Sequence, residues 1–123
     1  MADHITVMSE GTQEVLEFAW GRIVWLCNSQ IAPEAEMTFG VVTIEAGQTN
    51  PVHSHPNCEE LLYVISGQCR HSLDDEWVDL GPGDLIRCPA HARHNAINTG
   101  SEPVKCVIAY SSPDRQMEVH EGA

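Results

Sequence analysis

Apolar residues along this chain come in short runs, cut by glycine, proline and polar clusters. Ile23-Val24-Trp25-Leu26 is β-branched and aromatic, so residues 20–27 read as a strand. Residues 37–45 (MTFGVVTIE) read as a second strand, ended at Ala46-Gly47. Leu61 to Ile65 is a third, closed by Ser66-Gly67. Residues 68–73 and 77–80, joined by the polar Asp74-Asp75-Glu76, predict a hairpin with Cys69, His71 and Leu73 on one face. Gly81-Pro82-Gly83-Asp84 is a turn signal, and a short strand over 85–88 stops at Pro89. Strands over 94–98 and 104–110 complete the series.

Two stretches are less regular. Residues 12–18 fit a short helix or an edge strand equally, and residues 28–36, with Pro33, read as a loop. Residues 111–123 are polar and are expected to fray. Many short strands with almost no helical period point to an all-β sandwich or barrel. No internal repeat, low-complexity tract or second domain is visible, and 123 residues suit one core.

Charge narrows the partners. Eighteen acidic residues against 6 basic give a formal net charge of −12, which repels polyanions, so no nucleic acid is expected. The same acids keep the chain soluble. No apolar run approaches the roughly 18 residues of a membrane span. Met1-Ala2-Asp3-His4 shows neither a basic nor an apolar leader region, so a cytoplasmic location is expected. Cys27, Cys58, Cys69, Cys88 and Cys106 are odd in number and form no CxxC, which suits reduced thiols.

The chemistry concentrates in His53-Ser54-His55-Pro56-Asn57-Cys58-Glu59-Glu60. Side chains two apart on a strand share a face, so His53 and His55 can reach one point. Imidazole and carboxylate together are a common ligand set for divalent transition metals. Glu60 lies five positions past His55, an odd step that an unbroken strand would turn to the opposite face. Pro56-Asn57 supplies a break that can reset this parity, so Glu59 or Glu60 can face inward, but not both. His94 needs the fold to bring it near.

These residues resemble the cupin family. Its first motif is Gly, five residues, His-x-His, three or four residues, Glu, six residues, Gly. Gly47, His53, His55, Glu60 and Gly67 fall in place, which selects Glu60 over Glu59. Its second motif is Gly, five residues, Pro-x-Gly, two residues, His, three residues, Asn. Gly83, Pro89, His94 and Asn98 match, and His91 stands where the family usually has Gly.

The resemblance covers residues 36–110 and implies a single jelly-roll β-barrel, a double-stranded β-helix, over 36–112. Residues 1–35 would be an N-terminal extension, whose strand over 20–27 can add to a partner's sheet in a homodimer. Residues 113–123 would be a polar tail. It further implies one divalent transition metal ion (Fe, Mn, Ni or Zn) held by His53, His55, Glu60 and His94. Family activities span dioxygenases, decarboxylases, isomerases, lyases and sugar-binding modules. The expected function is a metal-dependent isomerase or lyase acting on a small polar carbonyl, hydroxy-acid or sugar-acid substrate. An iron-dependent dioxygenase and a non-catalytic ligand-binding module are the alternatives. His71 as a base, Arg87 or Arg93 as a carboxylate partner, and His91 as a substrate contact are the further candidates. Cys58 lies beside the cluster, and Tyr63 is read as sheet packing. His4 and His120 carry no signal.

Overall fold

Two antiparallel sheets face each other in a computed structural model that describes residues 6–120. The larger sheet contains β1 (Val15–Phe18), β2 (Gly21–Cys27), β3 (Thr38–Ile44), β5 (Glu60–Ser66), β8 (Leu85–Cys88) and β10 (Val104–Tyr110). Its order is β1-β2-β3-β10-β5-β8. The smaller sheet contains β4 (His53–Ser54), β6 (Cys69–Leu73), β7 (Glu76–Leu80), β9 (His94–Ile97) and β11 (Glu118–Val119), in the order β11-β4-β9-β6-β7. This is the all-β jelly roll expected from the sequence.

Alternation builds the core. In β5, Glu60, Leu62 and Val64 point inward, while Leu61, Tyr63 and Ile65 point outward. β10 runs beside it with Cys106, Ile108 and Tyr110 buried, and β3 contributes Val42 and Ile44. Cys58, Cys69, Cys88 and Cys106 are buried, and all five cysteines are free thiols. The first motif's closing Gly67 has φ 83°, and a Cβ there would sit 2.6 Å from the Pro103 carbonyl oxygen. Only glycine fits that turn without displacing backbone.

The ambiguous segment before Trp20 resolves as a 3-10 turn (Glu10–Thr12) followed by edge strand β1. β2, the strand expected to reach a partner, pairs with β1 and β3 of its own chain. The C-terminal segment, as far as residue 120, is held against the rest of the chain. β11 pairs with β4, the strand that carries His53, and the Ser29 amide donates to the Pro113 carbonyl. His4 lies outside the described residues.

Candidate metal centre

Strand parity explains which side chains meet. β4 pairs with β9 so that His53 stands opposite His94. The chain then turns at Pro56-Asn57 and enters β5 with Glu60 buried. Leu61 pairs with Arg87 on the outer face and Glu60 with Cys88 on the inner one. Glu59 therefore faces solvent, where it accepts a 2.6 Å hydrogen bond from Arg87 Nε. The two motifs are also joined by backbone. The His91 amide donates to the His55 carbonyl, and the Gly47 amide to the Asn98 carbonyl. Asn98 is itself buried and donates to the carbonyls of Ile44 and Glu102. The motif residues that are not metal-ligand types thus fasten the loops that carry those that are.

One donor atom from each of His53, His55, Glu60 and His94 lies within 4.8 Å of the others, and all four residues are buried. Each imidazole is oriented by a backbone carbonyl on its Nδ1: Pro51 for His53 at 2.7 Å, Gln116 for His55 at 2.9 Å, and Ala92 for His94 at 3.0 Å. Carbonyls only accept, so each Nδ1 carries a proton and Nε2 faces the cluster. His55 Nε2 and His94 Nε2 then approach the same Glu60 oxygen at 3.1 and 3.0 Å. Burial alone would raise the Glu60 carboxyl, but contacts with His55 and His94 outweigh it and hold the group well below the usual carboxylate range. Burial would lower His94, but the bond to Glu60, the charge of that carboxylate and the Ala92 carbonyl together outweigh it and move the group up. His53 falls to about 4 through burial and then the neighbouring His94, so it is neutral.

This arrangement fits a cation. A neutral His55 sets a lone pair against a carboxylate oxygen, and protonating every ring would crowd like charges. One divalent ion would accept all these lone pairs at once. The 3.1 and 3.0 Å separations of His55 Nε2 and His94 Nε2 from one Glu60 oxygen are short enough for these residues to hold a shared ion.

The cluster forms one wall of a cavity of about 320 Å³ between the sheets. The other walls are mostly apolar, with Leu16, Ile23, Trp25, Val42, Leu62 and Ile108 among them. His71 lines the same cavity and stacks on His94, with ring centres 5.8 Å apart. Its Nδ1 donates to the Ser72 carbonyl at 2.8 Å, which leaves Nε2 as the acceptor atom. Burial lowers its pKa to about 4.

The other candidates lie elsewhere. Arg87 is on the outer surface, bound to Glu59, because its register with Leu61 turns it away from the cavity. His91 is exposed and holds a turn with φ 72°, the conformation that glycine usually supplies there. Arg93 is exposed too, its amide donating to Asp74. Cys58 is buried but contributes no atom to the cluster.

The C-terminal segment was the part least legible in the sequence. Asn57 pins it, donating to the Asp114 carbonyl at 2.8 Å and accepting from the Gln116 amide at 3.0 Å. This places the Gln116 carbonyl on His55 and brings Arg115 to the cavity. His120, also in this segment, meets the Ser54 hydroxyl at 2.7 Å. The available clue was Tyr110: it ends an alternating strand, so its side chain faces the cavity next to whatever follows.

Comparisons with known proteins agree with this geometry. Residues 40–110 match the family model described as a cupin domain. A glucose-6-phosphate isomerase from Thermococcus kodakarensis is 34% identical over 90 residues, covering 63% of this chain and 48% of that protein. The polyketide synthase CurC of Streptomyces cyaneus is 31% identical over 73 residues, covering 59% and 47%. Both relatives are about twice as long as the segment they share with this chain. The Lactobacillus farciminis oxalate decarboxylase–formate complex superposes with a TM-score of 0.82 at 23% identity, over 89% of this chain and 34% of that one. At that identity the superposition speaks to the fold.

Proposed function

The chain belongs to the cupin family, and on that premise we propose that it is a metal-dependent enzyme of isomerase or lyase type acting on a small carbonyl or hydroxy-acid substrate. The convergence of three imidazoles and the Glu60 carboxylate beside a mostly apolar cavity carries this reading. His53, His55, Glu60 and His94 would hold one divalent transition ion. When bound, such an ion polarises a carbonyl oxygen and eases proton loss from the neighbouring carbon.

The chain's own groups supply the rest. Carbonyls of Pro51, Gln116 and Ala92 keep the imidazoles aimed inward. The apolar walls exclude water, which strengthens electrostatic contacts inside. His71 can take a proton at Nε2, since its Nδ1 proton is committed to Ser72. Those walls favour a substrate with an apolar body over a polyhydroxylated sugar acid, which would leave hydroxyls unpaired against Leu and Val. The name of one relative, a glucose-6-phosphate isomerase, supports the isomerase class, though not an apolar substrate.

The test loads the protein separately with Fe, Mn, Ni or Zn and offers a panel of α-hydroxy ketones and α-keto acids in deuterated buffer, with and without O₂. Deuterium incorporation beside the carbonyl under anaerobic conditions is the expected result. Turnover with iron alone, coupled to O₂ consumption and lost under anaerobiosis, would instead establish the dioxygenase alternative. Ligand binding without turnover for any metal would establish a binding module.

A further inference from the structure

Arg115 is a cationic side chain at the cavity with no role in the metal cluster. The chain has 6 basic residues against 18 acidic ones. Arg22, Arg70, Arg87 and Lys105 each pair with a surface carboxylate. No such pair involves Arg115 among the described residues. Arg93 has no such pair either, but only Arg115 lines the cavity, at its border with a polar cleft formed by Asn28, Gln30 and Gln116.

Its surroundings suggest a role. The guanidinium carbon lies 4.9 Å from the Trp25 ring centre and 5.1 Å from that of Tyr110. Stacking engages the faces of the group, and its in-plane N–H donors meet the Tyr110 hydroxyl and little else that accepts well. Nε is buried and donates to nothing. Nη2 meets the Met117 sulfur at 3.2 Å, a weak acceptor on a flexible side chain. A buried charged donor left this way is costly unless an acceptor arrives. Gly40, opposite Trp25 in the β2–β3 pair, leaves room for the indole, since a Cβ there would lie 2.6 Å from it. Arg115, Trp25, Tyr110 and Met117 line the same cavity as His53, Glu60 and His94.

We infer that Arg115 binds the carboxylate of an apolar-bodied monocarboxylic acid, displacing the Met117 sulfur, so that the rest of the molecule extends toward the His53–Glu60–His94 wall. This rests on the proposed function for its reaction class. One guanidinium in apolar surroundings matches one planar carboxylate, which its N–H fork pairs with side by side. A second acid group would face either Glu60 or the apolar walls.

Binding of benzoate, with neutral benzamide and inorganic phosphate as comparison probes, separates the two readings. It is measured by isothermal titration on the chelator-treated protein and again on the metal-loaded protein. Wild type should bind benzoate more tightly than benzamide or phosphate in both forms. Arg115→Met should weaken benzoate about 10- to 100-fold, the loss of a charge-assisted hydrogen bond, and leave benzamide and metal content unchanged. Arg115→Lys, which keeps the charge and the length, should fall between, and guards against a folding defect in the first variant. Benzoate affinity unchanged in both variants, an equal loss for benzamide, or tighter phosphate binding would overturn the assignment. Arg115-dependent benzoate binding in a protein that takes up no metal would sustain it while removing the metal reading.

Discussion

Glu60 sits buried against the imidazoles of His55 and His94, while its neighbour Glu59 lies on the outer surface against Arg87. One step along a strand separates them, and that step decides their chemistry. Glu60→Gln removes the charge that balances the imidazoles and one anionic ligand. Its metal affinity should drop by more than the about 10- to 100-fold typical of a lost supporting contact. Glu59→Gln breaks only an exposed ion pair worth about 0–1 kcal/mol and should leave metal content intact. Elemental analysis of both variants after dialysis checks the ranking, and the reverse order would reassign the carboxylate. His91 belongs to this scale as well. Its positive φ marks it as a turn former where glycine is usual, and its amide reaches the site through the His55 carbonyl.

At the scale of elements, the C-terminal segment after β10 is part of the site. It carries the carbonyl that orients His55 and the guanidinium that faces the cavity. Asn57 holds it through three hydrogen bonds, to Ser112, Asp114 and Gln116, and belongs to neither the cluster nor the cavity lining. Asn57→Ala should therefore loosen the Gln116 carbonyl and weaken metal binding about tenfold, with the strand content unchanged. Competition with a chromogenic chelator measures the first effect and circular dichroism the second. Unchanged affinity would mean that the segment holds its place without Asn57.

For the whole molecule, the two sheets press four metal-ligand side chains and His71 together in a protein-lined space. Without a cation the fold carries the cost of a buried carboxylate beside crowded imidazoles; with one, that cost is offset. An ion at a hundred times its Kd stabilises the folded state by about 2.7 kcal/mol. For a chain of this size that corresponds to a rise in Tm of about 10 °C or more. Calorimetry with and without a strong chelator reads this directly, and identical transitions in Mn, Ni, Zn and chelator would count against the metal centre.

The strands, the turn glycines and the ligand cluster were legible in the sequence because each depends on local spacing. Alternation marks a buried face, Gly67 marks a turn that a Cβ would block, and the interval from Gly47 to Glu60 fits the two-histidine motif. Parity alone left Glu59 and Glu60 open, and the family spacing chose the residue that the fold buries. What depended on contacts between distant segments stayed hidden. Little local to residues 113–120 says that they close over β4, since they are mostly polar and their main contacts are a backbone carbonyl, one stacked arginine and the isolated apolar Met117 and Val119. The outward turn of Arg87 likewise follows from its register with Leu61, a pairing across 26 positions of chain. Local periodicity determined the scaffold, and motif spacing picked out the four side chains that the fold brings together. The tertiary structure decided what else faces the cavity, because only packing brings the end of the chain back against its middle.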